Sequence, residues 1–258
     1  LVLTRDGELH LLTRMPDMRQ AQQTSTLPDD HIHIWSETFD SDPARDLARL
    51  LADLGVSGKI GFENATVGLT DANGQLLRSA LPALRPAPHL IRDLRQDKSD
   101  AEVAMHRRAA SLSDDALDAG LAITRAGAFE GDILAAMQGA VFKGGGDYAG
   151  NEFIIGSSEH ALLCRYYSGR RHLDHDDQLT LEWSGAYARY HAAMMRTVVI
   201  GTPSDTHKRY HALADQALTA CEAAIKPGNP MGDVYRAHAD VYGDGTRLRV
   251  GGPRKADV

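Results

Sequence analysis

Glu182 sits in the first arm of "LTLEWSGAYARYHAAMMRT", residues 179–197, where two apolar runs flank a turn-like "SGAYAR" and the second arm carries the pair Ala192 and Ala193. Acids placed opposite one another in a hairpin can hold divalent ions, because hard cations need several oxygen ligands. Here only one arm supplies an acid. The residues leave three readings open: a metal site lacking half its ligands, a site of another kind, or a packed hairpin whose alternation turns Glu182 outward. Tyr190 and His191 add polar tips to the second arm, a position where such groups usually serve the fold. The run "RHLDHDD" at 171–177 carries ligand-type side chains but reads as a solvated turn between strands. "GGG" at 144–146 lacks the setting of a phosphate loop and reads as a connector. Cys164, beside Arg165, has no recognisable histidine and carboxylate relay and reads as a core thiol.

Elements that must position these groups can be read on either side. The 258-residue chain is long enough for one large or two medium domains. No apolar run approaches the roughly 20 residues of a membrane span, and a formal charge of −7 argues against a nucleic-acid partner. Cys164 and Cys221 are the only cysteines and form no CxxC pair, which predicts a reduced, cytoplasmic protein. Residues 1–92 alternate strand-like runs with a helix in "DPARDLARLLADLG", whose leucines at 47, 50, 51 and 54 share a face and stop at Gly55. "RPAPHLIRDLRQDKSD" is the expected boundary, and a second domain is expected over 98–258.

Ser99 opens a capping box, "SDAE", at the head of a long helix running to about Ile123. A comparable helix begins near Ser204. Their ends superpose, with Gly127 on Gly228, Gly131 on Gly232 and Asp132 on Asp233, each 101 residues apart. This predicts a duplicated unit of helix, glycine stop and short helix. The first copy is followed by strand-like "NEFIIGSS", "HALLCRYY" and the hairpin. The second is followed by little, so a truncation or an altered reading frame is expected there, and the abrupt strand at Leu1 suggests a missing start.

"IRDLRQDKSDAEVAMHRRAA", "AITRAGAFEGDI", "RRHLDHDDQLTLEWSGAYARYHAAMMRT" and "IKPGNPMGDV" together resemble the creatinase and aminopeptidase family of pita-bread hydrolases, which includes Xaa-Pro aminopeptidases, prolidases, creatinase and ectoine hydrolase. The resemblance covers residues 1 to about 241. It implies an α/β N-terminal domain, then an α+β pita-bread domain with a pseudo-twofold internal repeat that breaks off at the C-terminus, and a homodimer. Metal-dependent members carry an Asp in the first hairpin arm and another eleven residues on, before an Arg-Thr pair. Counting back from Arg196 and Thr197, those positions are Glu182 and Ala193. Creatinase, a metal-independent member, also carries alanine at the second position. The expectation is therefore that no cofactor is bound.

The family's upstream histidine falls on Arg165, which cannot cycle a proton near neutral pH but can clamp a carboxylate. Acid–base work is then expected of Glu182 or His191, or of a glutamate in the missing C-terminal part. Arg165, Tyr190 and Arg196 are expected to bind substrate. The expected activity is hydrolysis of a C–N bond, amide, amidine or peptide, in a small molecule or dipeptide. Two rivals stand beside it: a two-metal Xaa-Pro aminopeptidase with displaced ligands, and an inactive module kept for binding or dimerisation.

Overall fold

A computed structural model describes residues 1–162 and 169–243. The chain divides into two compact units, Leu1–Lys98 and Ser99–Val258. Arg165 and Cys164 lie outside the described residues.

The first unit contains β1 (Val2–Leu3), β2 (Leu9–Thr13), α1 (Met15–Thr24), β3 (Ile32–Ile34), α2 (Pro43–Asp53), β4 (Ile60–Phe62), α3 (Asp71–Ala80), β5 (Leu84–Pro86) and α4 (Leu90–Leu94). β2 pairs antiparallel with β1 and parallel with β3, while β4 and β5 form a separate parallel pair. The turn between β1 and β2 needs a left-handed residue and finds it in Gly7, at φ 89°. α2 starts where the Asp42 carboxylate accepts the Ala44 and Arg45 N–H groups, and it buries Ala44, Leu50 and Leu51. On the first sheet His10 is buried, stacks on His31 at 4.1 Å and shares a hydrogen bond with His33 at 3.2 Å. Burial, followed by the neighbouring His10 and His31, holds the His33 pKa below its usual value.

The second unit contains α5 (Asp100–Ile123), α6 (Glu130–Lys143), β6 (Ile154–Ser157), a 3-10 turn (Ser158–Leu162), β7 (Asp177–Tyr187), β8 (Tyr190–Ile200), α7 (Asp205–Ala224) and α8 (Met231–Gly243). The capping box at Ser99 and Glu102 forms as the sequence predicts. Ser157 ends β6, and the residues that follow turn rather than extend, so "HALLCRYY" does not start as a strand. β6, β7 and β8 make an antiparallel sheet in that order. α5 and α6 cover one face of it. α5 contributes Ala109, Leu112, Ala116 and Gly120 at helical spacing, and α6 contributes Ile133, Met137 and Val141. They meet Ile155, Leu179, Leu181 and Trp183 in one core.

Duplication shows in backbone detail. Thr124 N–H reaches the carbonyls of Gly120 and Leu121, and Ile225 N–H reaches those of Cys221 and Glu222. Gly127 and Gly228 both lie at positive φ, 77° and 90°. Ala128 N–H to Arg125 O and Asn229 N–H to Lys226 O are both 3.0 Å. The stop after each long helix is thus one turn used twice, with glycine where the left-handed backbone excludes a side chain at little cost.

One contact sets how closely α5 lies on the hairpin. The buried Ser113 hydroxyl donates to Ala192 O and accepts Gly185 N–H, each at 2.6 Å, and the Trp183 indole N–H donates to Ser113 O at 3.0 Å. A Cβ on Gly185 would stand 2.1 Å from Ala109 O, which is helix backbone and cannot swing aside. Gly185→Ala is therefore expected to destabilise the second unit by about 3 kcal/mol or more, read as a shift in the urea midpoint. A shift under ~0.5 kcal/mol would show that the helix can lift off the hairpin freely.

Candidate functional site

β7 alternates. Leu179, Leu181 and Trp183 point into the core, and Thr180, Glu182 and Ser184 occupy the opposite face, half-buried. The register pairs Glu182 with Met195 on β8 and with Ile154 on β6, and pairs Ser184 with Ala193. Glu182 and Ala193 are therefore diagonal neighbours on one face, close enough that two acids there could share an ion. Only Glu182 is an acid.

Beside it lies a histidine that sequence reasoning passed over. A cavity of about 20 Å³ is lined by Ile154, Gly156, His160, Thr180, Glu182 and Met195, with Ala161 at its edge. That is room for about one water molecule. His160 gets there because the 3-10 turn folds back over β6. A Cβ at Gly156 would meet His160 O at 2.6 Å, so only glycine lets the turn lie this close. Ser158, at φ 53°, starts the turn and is tied down by its N–H to Asp177 Oδ1 at 2.9 Å. A run read as strand in sequence hides this, because its residues are expected to alternate outward rather than double back.

The other expected site residues are placed elsewhere. His191 pairs with Ala186, four positions from Glu182, or roughly 13 Å along the strands. Both its ring nitrogens are engaged: Nε2 accepts Gly150 N–H at 2.9 Å, so Nδ1 carries the proton and donates to Arg189 O at 2.9 Å. Tyr190 donates its hydroxyl proton to Glu102 Oε1 at 3.1 Å and packs edge-on against His106. Arg196, exposed on the outer strand, pairs with Leu181 and donates to Met195 O at 2.8 Å. The structure thus brings Glu182 to His160 and separates it from Tyr190 and His191.

The side of this site is braced by Glu130, a fully buried carboxylate at the head of α6 that sequence reasoning did not single out. It accepts the Ser157 hydroxyl at 2.5 Å and the N–H groups of Arg170 and Arg171 at 3.0 Å each. The Arg171 guanidinium donates in turn to Ser157 Oγ, to Asp174 at 2.8 Å and to the buried Asp177 at 3.4 Å. "RHLDHDD" is therefore partly a structural clasp, with Arg171 and Asp177 turned inward and Asp174, His175 and Asp176 exposed.

Among the described residues, no group of three or more His, Cys, Asp or Glu is gathered closely enough to hold a metal ion. Glu182 with Ala193 diagonal to it does not fit a two-metal centre.

Two family models match the chain. One, described as metallopeptidase family M24, covers residues 104–251, and the other, described as the creatinase/prolidase N-terminal domain, covers residues 1–96. The chain is 26% identical over 247 residues to the uncharacterized hydrolase/peptidase y4tL of Sinorhizobium fredii, covering 92% of this chain and 63% of that protein. Among solved structures it is similar to an Xaa-Pro dipeptidase from Bacillus anthracis, with a TM-score of 0.77, 24% identity and coverage of 90% of this chain and 63% of that one. It is also similar to a prolidase from Pyrococcus furiosus, with a TM-score of 0.74, 17% identity and coverage of 90% and 65%. The chain therefore spans a little under two thirds of these relatives. These matches bear out the expected fold, an α/β N-terminal domain followed by the pita-bread domain. They correct the expectation that no cofactor is bound, because the matching family is one of metallopeptidases. The loss of one acid at Ala193 was weighed as a loss of metal dependence, and a single ligand position does not carry that conclusion.

Removing the Glu130 carboxylate would leave Ser157 and two backbone N–H groups without their acceptor and Arg171 with less opposing charge. Glu130→Ala is expected to cost about 3–5 kcal/mol in chemical denaturation. A loss below ~1 kcal/mol would mean that water replaces the carboxylate and the clasp is dispensable.

Proposed function

The chain belongs to metallopeptidase family M24, and from that premise we propose that its protein hydrolyses the C–N bond of a small peptide, with Glu182 handling the attacking water. The observation that carries this reading is the one-water cavity between Glu182 and His160. Glu182 takes a proton from that water as its oxygen bonds to the substrate carbonyl carbon. The proton then passes to the departing nitrogen as the C–N bond breaks, so the carboxylate ends as it began. His160 and Thr180 close the cavity and orient the water. The metal that the family implies finds no ligand set among the described residues, and no step is routed through it.

A dipeptide of the Xaa-Pro kind is the proposed substrate, supported by the fold shared with an Xaa-Pro dipeptidase. Arg165, outside the described residues, is proposed to clamp its carboxylate. Arg196 lies one register position from Glu182 and could add to the same charge. The proposed location is the cytoplasm; no helix among the described residues is long and apolar enough to cross a membrane. A homodimer belongs to the same proposal, supported by the exposed apolar side chains Leu218, Ile225, Met231 and Tyr235 on or beside α7 and α8.

Glu182→Gln keeps the shape and removes the charge. It is expected to lower kcat on an alanyl-proline substrate by about a hundredfold or more with KM little changed. An unchanged kcat would reject Glu182 as the base, and a raised KM alone would make it a binding group. Light scattering is expected to give twice the chain mass at micromolar concentration, and a monodisperse monomer would remove the dimer from the reading.

A further inference from the structure

On the far side of α6 from the Glu182 cavity, between the C-terminal half of that helix and residues 147–153, lies a larger cavity of about 360 Å³. That volume falls within the range of small-ligand sites. Its apolar wall includes Val141 and Phe142, and Tyr148 stands edge-on to Phe142 with ring centroids 4.9 Å apart. Tyr148 is 77% exposed and Phe142 42% exposed, an unusual amount of aromatic surface to leave beside a concavity. The charged residues lining it are Asp147 and Glu152, and no Lys, Arg or His lines it. The Glu152 carboxylate has no hydrogen-bond or ion-pair partner among the described residues, and Asp147 uses only Oδ2.

The wall is fixed rather than loose. Asp147 N–H donates to Ala186 O at 2.8 Å, Asp147 Oδ2 accepts Arg189 N–H at 3.0 Å, and Gly150 N–H donates to the His191 ring. Segment 147–150 is thus clipped at three points to the tip of the β7–β8 hairpin. A concavity held in place before any ligand arrives avoids part of the ordering cost of binding.

We propose that this cavity binds an organic monocation with an apolar body, its charge between Asp147 and Glu152 and its body against Tyr148 and Phe142. Uncompensated carboxylates favour a cation, and the faces of aromatic rings attract one as well. An anion would meet two like charges, and a purely apolar ligand would leave Asp147, Glu152, Gln138 and Asn151 facing it without donors. The chemistry is shared by ammonium and guanidinium groups. Size separates neither, so both are probed.

The test uses the 258-residue chain with phenethylammonium, phenethylguanidinium and the uncharged 2-phenylethanol, followed by ligand-observed NMR titration. At least one cation is expected to bind saturably with a dissociation constant on the order of 1 mM, and the alcohol about tenfold more weakly. The tighter of the two cations identifies the head group. Tyr148→Ala and Glu152→Gln are each expected to weaken cation binding about two- to fivefold. Both residues are exposed and outside any hydrogen bond of the described structure, so neither change touches the fold. Equal binding of the alcohol, no saturation of either cation up to roughly thirty times that constant, or indifference to both substitutions would overturn the proposal.

Discussion

A carboxylate sealed from water must be satisfied entirely by the protein, and in the second unit that demand falls on Glu130. Its acceptors are met by a serine hydroxyl at the end of β6 and two backbone N–H groups that lie just before β7. Meeting them fixes where α6 begins, where β6 ends and how the chain returns at Gly169. There the backbone passes so close to Gly131 that a side chain at either position would collide with its surroundings. Arg171 extends the constraint by sitting between Glu130's serine partner and the buried Asp177, so the opposite charges are arranged in alternation instead of being stacked. Asp177 then uses its other oxygen to start the turn that carries His160 to Glu182. The candidate site is two hydrogen bonds removed from a residue that never touches it.

Local signals carried most of what could be read in the sequence. The capping box at Ser99, the leucine face of α2, the glycine stops after α5 and α7 and the hairpin itself depend on residues within a few positions of each other. The turn of that hairpin was placed too early. β7 runs on through "SGAY", and the chain reverses at Ala188 and Arg189, both left-handed at φ 47° and 68°. Such a turn usually takes Asn and Gly. Ala and Arg give no such signal, and the conformation is held from outside by Asp147, which accepts the Arg189 N–H from 42 residues away.

Glu130 and His160 were illegible for the same kind of reason. The partners of Glu130 lie 27, 40 and 41 residues along the chain, and nothing in the neighbourhood of a helix-initial glutamate distinguishes a buried one from a solvated one favouring the helix dipole. His160 depends on a glycine that allows a turn to lie on a strand. His191 is the converse. Its type and position in the hairpin invited a chemical role, and its surroundings give both nitrogens to backbone groups near the turn.

The hairpin therefore has two differently loaded ends. At its tip, His191 and Asp147 hold the 147–150 segment, and between tip and base Glu182 looks onto a cavity that fits one water. Ser113 pins the stretch between them to α5 through both strands at once, accepting from Gly185 on β7 and donating to Ala192 on β8. A strand pair fastened in this way resists bending, because a tilt at the tip must break backbone hydrogen bonds buried beneath the helix, where no water can replace them. Precision at Glu182 then follows from packing laid down well away from it. An acid that must hold one water needs a rigid strand behind it more than it needs a crowd of polar neighbours.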